Sequence, residues 1–187
     1  MQEIEKIYIL YKNMVINDET FGASWKNIEL GKQVFSLMKS LPQTQEGELE
    51  SPAQKVRLLL NMLTLMDEMS TPRFCIEVRE YVSILCPDDE ENRATLAMLR
   101  DYIDPSLKME EYCAKYKRFL KFDPVERSLE WEKVIYRVEQ ECEEILQGEP
   151  RGMGFCFMYW AAKAKVLSKY GIRWKSPSQM NPGVLFD

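Results

Sequence analysis

The sequence predicts an all-α chain, a single-domain globular helical bundle of about eight helices over residues 1–187. Three observations predict it. Apolar residues recur at three- and four-residue intervals along most of the chain. No segment alternates apolar and polar residues between turn signals as a strand would. At Ser51-Pro52, Thr71-Pro72, Asp104-Pro105 and Asp123-Pro124 a side chain able to cap a helix stands directly before proline. A cap of this kind accepts a hydrogen bond from an orphan backbone N–H, and proline at the first helical position has no N–H to leave unpaired. Gln54 and Glu126, three residues after their caps, complete two capping boxes.

The first helix is read over 2–16, with Ile4, Ile7, Tyr8, Tyr11, Met14 and Val15 on one side. The second runs over 24–41 through Trp25, Ile28, Val34, Phe35 and Met38. A polar loop, 42–50, precedes a third helix over 52–69 and a fourth over 72–86, which Pro87 ends. A fifth opens at Asp88 and continues to 103, a sixth covers 105–122, and a seventh covers 124–147 with Gly148 as its stop. The eighth, 154–170, ends at Gly171, and a last capped turn begins at Ser176-Pro177 within a segment, 171–187, expected to pack back on the domain.

The eighth helix organises this reading. Residues 155–162 are Phe-Cys-Phe-Met-Tyr-Trp-Ala-Ala, apolar all the way round, which predicts burial on every side. Lys163, Lys165 and Lys169 then predict that the helix enters the core at its N-terminus and leaves it at its C-terminus. In the seventh helix, Trp131, Val134, Ile135, Val138, Cys142 and Ile145 form one face, and Val125, Leu129 and Tyr136 a second.

Composition bounds the function. A chain of 187 residues, 45% hydrophobic and 29% charged, has the length to bury about 70% of its unfolded surface without staples. The five cysteines are dispersed and form no Cys-x-x-Cys pair, so they read as reduced thiols in a cytoplasmic protein, without a disulfide framework or structural zinc. The acidic N-terminus does not read as a signal peptide, and the charge-free stretch Gly152–Ala162 is 11 residues, too short for a membrane span. There is no histidine. Its absence removes Ser-His-Asp and Cys-His nucleophiles, His-ligated zinc, Glu-x-x-His di-iron sites and a histidine haem ligand, and no cofactor is implied.

Charge is uneven: residues 41–110 hold seven basic and 14 acidic side chains, whereas 151–187 hold six basic and one acidic. The basic end could bind an anion through Lys163, Lys165, Lys169, Arg173 and Lys175, yet a chain with a net charge of −5 repels a phosphate backbone, so nucleic acid is not the expected partner. The candidate ligand site is Arg151, Gly152 and Gly154 at the start of the eighth helix, assisted by Lys163. Glycines allow close approach there, and a helix N-terminus presents unpaired N–H groups to an anion. No Walker ending follows, so no nucleotide fingerprint is met. A remote metal alternative is the set Glu77, Glu80, Asp101 and Asp104. Its spacing resembles the Mg²⁺-binding carboxylates of all-helical nucleoside-triphosphate pyrophosphohydrolases, although Glu80 lies opposite the apolar stripe of its helix. The 11 methionines mostly fall on apolar stripes and read as core.

The stretches Gly-Phe-Cys-Phe-Met-Tyr-Trp (154–160), Lys-Tyr-Gly-Ile-Arg-Trp-Lys-Ser-Pro (169–177) and Asn-Pro-Gly-Val-Leu-Phe-Asp (181–187) resemble the ending of an uncharacterised bacterial protein family. The resemblance implies a bacterial or phage origin and no particular activity. The resemblance implies a histidine after the cysteine where this chain has Phe157, so it carries no chemistry over to that position. The leading expectation is a non-enzymatic protein-interaction or regulatory module, for example an inhibitor. It would engage a protein partner through the acidic 41–110 surface or the basic 151–187 segment. The alternatives are a small-anion or nucleotide binder at Arg151–Gly154 and the Mg²⁺-dependent hydrolase.

Overall fold

The computed structural model describes residues 3–21, 25–41 and 51–186. The loop expected at 42–50 lies outside these residues. Among them the chain is all-helical: α1 Glu3–Phe21, α2 Trp25–Ser40, α3 Pro52–Thr64, α4 Pro72–Leu85, α5 Glu90–Ile103, α6 Met109–Lys115, α7 Leu129–Ile145, α8 Phe155–Lys169 and α9 Pro177–Met180. A single 3₁₀ turn covers Pro124–Arg127. No described helix is long and apolar enough to cross a membrane. The residues group into two compact units, Met1–Arg100 and Asp101–Asp187.

In the first unit α1 packs on α2, α2 on α3 and α3 on α4. Ile7 and Met14 of α1 and Ile28, Val34, Phe35 and Met38 of α2 are buried as their stripes predict, together with Leu59, Met62 and Leu63 of α3 and Val78 and Val82 of α4, whereas Tyr8, expected on the apolar side of the first helix, is 41% exposed. Gly31 lets α2 approach its neighbours closely: a Cβ there would stand 2.8 Å from the Met66 sulfur. A polar contact sits inside this core. The Asn27 amide donates to the carbonyls of Met14 and Leu65, at 3.0 and 2.9 Å, and its oxygen accepts from the Asn17 amide at 3.0 Å. One fully buried side chain thereby satisfies backbone groups from α1 and from the end of α3.

The second unit has two centres. Tyr102, Tyr112, Tyr116 and Phe122 stack around one another, with centroids 4.8 to 5.9 Å apart. Trp131, Ile135, Val138 and Cys142 of α7 pack against Ala162, Val166 and Leu167 of α8, and Ile172 closes the cluster. Burial pushes the Cys142 thiol up to about 11, so it behaves as a small hydrophobe.

Capping side chains mark several helix starts. Ser51 accepts from the Gln54 N–H, but its hydroxyl donates to the Gln54 side chain at 2.6 Å and the box expected there does not close, while Asp123 and Ser176 form complete capping boxes with Glu126 and Gln179. Three expectations need correction. Thr71 makes no side-chain cap bond; its hydroxyl lies 3.8 Å from the Cys75 sulfur, and Pro72 alone marks the start of α4. Asp104-Pro105 does not open a helix, because Asp104 Oδ1 accepts from both the N–H and the hydroxyl of Ser106 and holds a turn instead. Asp67 likewise accepts from the Met69 N–H and the Ser70 hydroxyl, ending α3 at Thr64 rather than at residue 69.

The predicted sixth helix is also cut short at its far end. Lys117 turns left-handed at φ 51°, and Arg118 N–H bonds back to Cys113. Beyond it the chain is held by Asn181, whose side chain accepts from the Lys121 N–H at 2.9 Å and donates to the Lys121 carbonyl at 2.8 Å. The predicted seventh helix divides at Ser128, which ends the 3₁₀ turn and caps α7 through the Trp131 N–H. Leu129 and Ile145, expected to be buried, are exposed.

Candidate functional site

The largest departure from expectation is α8. Its buried residues are Ala162, Val166 and Leu167, in the C-terminal half. Phe157 and Met158, expected inside, are 48% and 43% exposed. The full burial predicted for the first half is therefore not met: the deeply buried side chains lie in the C-terminal half, while the first half is partly buried, with Phe157 and Met158 exposed. Lys163 shows why that is possible.

The Lys163 side chain is turned inward onto Glu139 of α7, at 2.6 Å, and both groups are largely buried. Its ammonium lies 5.2 Å from the Trp131 ring centroid, 5.5 Å from Trp174 and 5.6 Å from Tyr159. The Tyr159 hydroxyl donates to the other Glu139 oxygen. Three aromatic faces and a carboxylate thus satisfy a cation inside the unit, and the ring quadrupoles add to the ion pair. On the far side of Trp174, the indole N–H donates to Glu126 at 2.7 Å. Lys169 and Tyr170 both reach Glu141, at 2.7 and 2.6 Å, and hold its carboxyl below the ordinary range.

Burial pushes the Glu126 carboxyl above its ordinary value of 4.5, against the opposing pull of Trp174 and Lys163. A raised pKa means that the folded chain holds this proton more tightly than the unfolded chain does. Stability attributable to Glu126 therefore falls as pH rises from 4.5 through the raised value. Glu126→Gln keeps an acceptor for Trp174 and removes that dependence. The variant is expected to gain stability on wild type at neutral pH and to lose the advantage on acidification, as read from urea midpoints across pH. An advantage that is constant with pH contradicts this account.

At the Arg151–Gly154 turn, Gly154 occupies the helix-capping position at φ 83°, a left-handed conformation that strains any residue with a Cβ. Nothing lies within 4 Å of a Cβ built there or at Gly152, so the conformation, not close packing, calls for glycine at 154. The Phe155 and Phe157 N–H groups bond back to Gly152 and Gly154, at 3.0 and 3.1 Å. The Arg151 guanidinium lies 5.6 Å from the Phe155 ring centroid. Lys163 is eight residues along α8 from Phe155, a rise of about 12 Å, and is committed to Glu139. The structure does not bring Lys163 to this turn.

The four acids of the metal alternative each have a partner. Glu77 pairs with Lys39 at 2.8 Å and Glu80 with Arg100 at 2.8 Å. Asp101 accepts from Lys115 and Tyr116, at 2.5 and 2.7 Å, and these bonds hold its carboxyl low. Asp104 accepts from Ser106. No group of three or more acids or cysteines among the described residues is placed to hold a metal ion.

The sequence reading missed the exposed face itself. Phe157, Met158, Ala161, Lys165 and Ser168 are all exposed and fall at helical spacing on one side of α8. Trp160 borders them, with Phe157 on one side at 5.4 Å and Phe186 on the other at 5.1 Å. Met153, before the helix, is 94% exposed, and Leu185, beside Phe186, is 98% exposed. Phe157, Trp160 and Phe186 thus form a chain of ring contacts along the first half of α8. The available signal was the position of Lys163: it sits on the side opposite this row, so one of the two sides had to be wet. Comparison with protein-family models, with curated proteins and with solved structures yields no match to this chain.

Proposed function

We propose that this chain is a non-enzymatic interaction module, of the regulatory or inhibitor kind, that docks a protein partner on the exposed apolar face of α8. The observation carrying this reading is the solvent exposure of Phe157 and Met158 on α8, where Phe157 packs on Trp160 and Trp160 on Phe186, together with the exposure of Met153 before the helix and Leu185 in the tail. Contiguous exposed apolar surface is costly in water, and aromatic and methionine side chains are the residue types that anchor interfaces. Behind it, Lys163 pairs with Glu139, Lys169 with Glu141, and the Trp174 indole N–H donates to Glu126. They act as supports for α8.

The test is a pair of variants in the full-length chain, Phe157→Ser alone and together with Met158→Ser. Both side chains are about half exposed and outside the buried cluster of α7 and α8, so thermal unfolding is expected to shift little. Capture of host proteins on the immobilised wild-type chain, followed by mass spectrometry, is expected to enrich one partner that both variants lose. Retention of the same partner by the double variant overturns the reading. So does a thermal-shift panel of nucleotides and phosphorylated metabolites in which one anion stabilises wild type and not Arg151→Ala, since that outcome assigns the turn to a small ligand.

A further inference from the structure

Where the predicted sixth helix is cut short, five consecutive residues are exposed: Lys117, Arg118, Phe119, Leu120 and Lys121. Phe119 is 83% exposed. Residues 112–122 hold four basic side chains and no acidic one. Of the four, Lys115 is paired with Asp101, while Lys117, Arg118 and Lys121 pair with no carboxylate among the described residues. Asp123, the acid that follows, accepts from the N–H groups of Val125 and Lys175. The net charge of −5 does not lie in this part of the chain: residues 101–187 hold 14 basic and 14 acidic side chains, and residues 1–100 hold 11 and 16. The turn is fixed at both ends. Lys117 stands at φ 51°, a left-handed conformation that few residues with a Cβ adopt, and the Arg118 N–H donates to the Cys113 carbonyl at 2.9 Å. At the other end the Asn181 side chain holds both backbone groups of Lys121. An apolar side chain already fixed in this exposure gives up little further backbone freedom on docking.

We propose that residues 117–121 dock on an anionic lipid surface, with Phe119 and Leu120 entering the headgroup region and Lys117, Arg118 and Lys121 lying against its negative charge. Covalent reach sets the charge complementarity. Each of the three cations is one or two residues from Phe119, so its Cα lies within about 7 Å of that of Phe119. That is comparable with the distance of about 8 Å over which a charge is screened at physiological salt. A surface that Phe119 enters therefore attracts all three, and apolar area and cationic charge add in such binding. The shape fits as well. A side chain 83% exposed stands out from the protein and lines no groove. A folded partner has to supply a pocket for it, whereas a fluid interface closes around any protruding apolar group. Nucleic acid fits less well, because single strands are held by successive aromatic platforms in a basic groove, and here one ring stands beside a leucine. The loop is separate from α8, so this contact is independent of the docking face above.

The experiment is co-sedimentation of the full-length chain with vesicles of phosphatidylcholine alone and of roughly three parts phosphatidylcholine to one of phosphatidylserine. Wild type is expected to bind the mixed vesicles, less tightly as salt rises, and not to bind the neutral ones. Phe119→Ser is expected to bind at least about fivefold more weakly. Lys117→Gln/Lys121→Gln should lose at least about tenfold, from a factor of about five for each lysine near such a surface. Arg118 is left in place because its guanidinium lies 5.8 Å from the Phe122 ring centroid. The substituted side chains are exposed, so thermal midpoints should match wild type. Two controls outside the loop, Phe157→Ser/Met158→Ser and Lys165→Gln/Arg173→Gln, should bind as wild type does. No binding to the mixed vesicles, or equal binding to the neutral ones, overturns the proposal. So does binding that Phe119→Ser retains in full, which leaves only diffuse electrostatic attraction. Binding that survives both loop variants and is lost in a control belongs to another surface, and overturns it too. If vesicles are ignored while a single-stranded oligonucleotide or an acidic peptide is bound and then lost in the loop variants, the loop serves a different partner and the proposal falls.

Discussion

Lys163→Met is expected to destabilise the second unit by about 2–4 kcal/mol, because removing one member of a largely buried ion pair leaves the other charge without compensation. Glu139 would retain only the Tyr159 hydroxyl. The ammonium between Trp131, Tyr159 and Trp174 would be replaced by a thioether of similar length, so packing is nearly conserved and the loss reports electrostatics. The companion variant separates the two causes. Glu139→Leu with Lys163→Met removes both charges, and is expected to recover at least half of the loss. Urea unfolding followed by the fluorescence of Trp131 and Trp174 gives both values. A loss below about 0.5 kcal/mol for Lys163→Met would place the pair among ordinary exposed ion pairs and remove the explanation offered for the orientation of α8.

Arg79→Met is expected to cost a similar amount, about 2–4 kcal/mol, in the first unit. Arg79 donates twice to Glu68, through Nε at 2.7 Å and Nη2 at 2.5 Å, and its third nitrogen donates to Asn92 at 3.1 Å. Asn92 in turn donates to the Arg79 carbonyl and the Ser83 hydroxyl, and its own N–H is capped by Asp89. Arg79 thereby joins α4, the turn after α3 and the beginning of α5. Arg79→Lys is expected to recover only part of the stability, since an ammonium cannot reproduce the fork that grips Glu68 and reaches Asn92 together. Arg100→Met supplies the contrast. Arg100 pairs with Glu80 at the same kind of distance, 2.8 Å, but both side chains are about half exposed, and the expected cost is within about 0.5 kcal/mol. Equal losses at Arg79 and Arg100 would show that burial does not set the difference. Amide exchange in the first turn of α5 should quicken in Arg79→Met and stay unchanged in Arg100→Met.

Among the described residues, what was readable from the residue order is local. Ser51, Asp123 and Ser176 cap because each side-chain oxygen reaches an N–H two or three residues ahead, and proline beside it admits no competing backbone bond. The same locality misled the reading at Asp104. The aspartate found its N–H donor in Ser106, inside a turn, and a capping residue before proline looks the same in either setting. Lys117 was invisible for a different reason: its left-handed φ ends α6 without a glycine or asparagine to announce it. Asn181 reaches back 60 residues to Lys121, and no local pattern encodes that.

The candidate site divides the same way. The sequence by itself determined the all-helical class, the start of α8 at Gly154, and the excess of positive charge at the end of the chain, because caps, periodicity and composition act over a few residues. It did not determine which side of α8 is wet. Apolar side chains cover the first turns on every side, and the hydrophobic effect has no direction until another surface is present. Only the tertiary structure supplied that surface. Glu139, Trp131 and Trp174 drew Lys163 and the C-terminal half of α8 inward, and Phe157 and Met158 were left facing water.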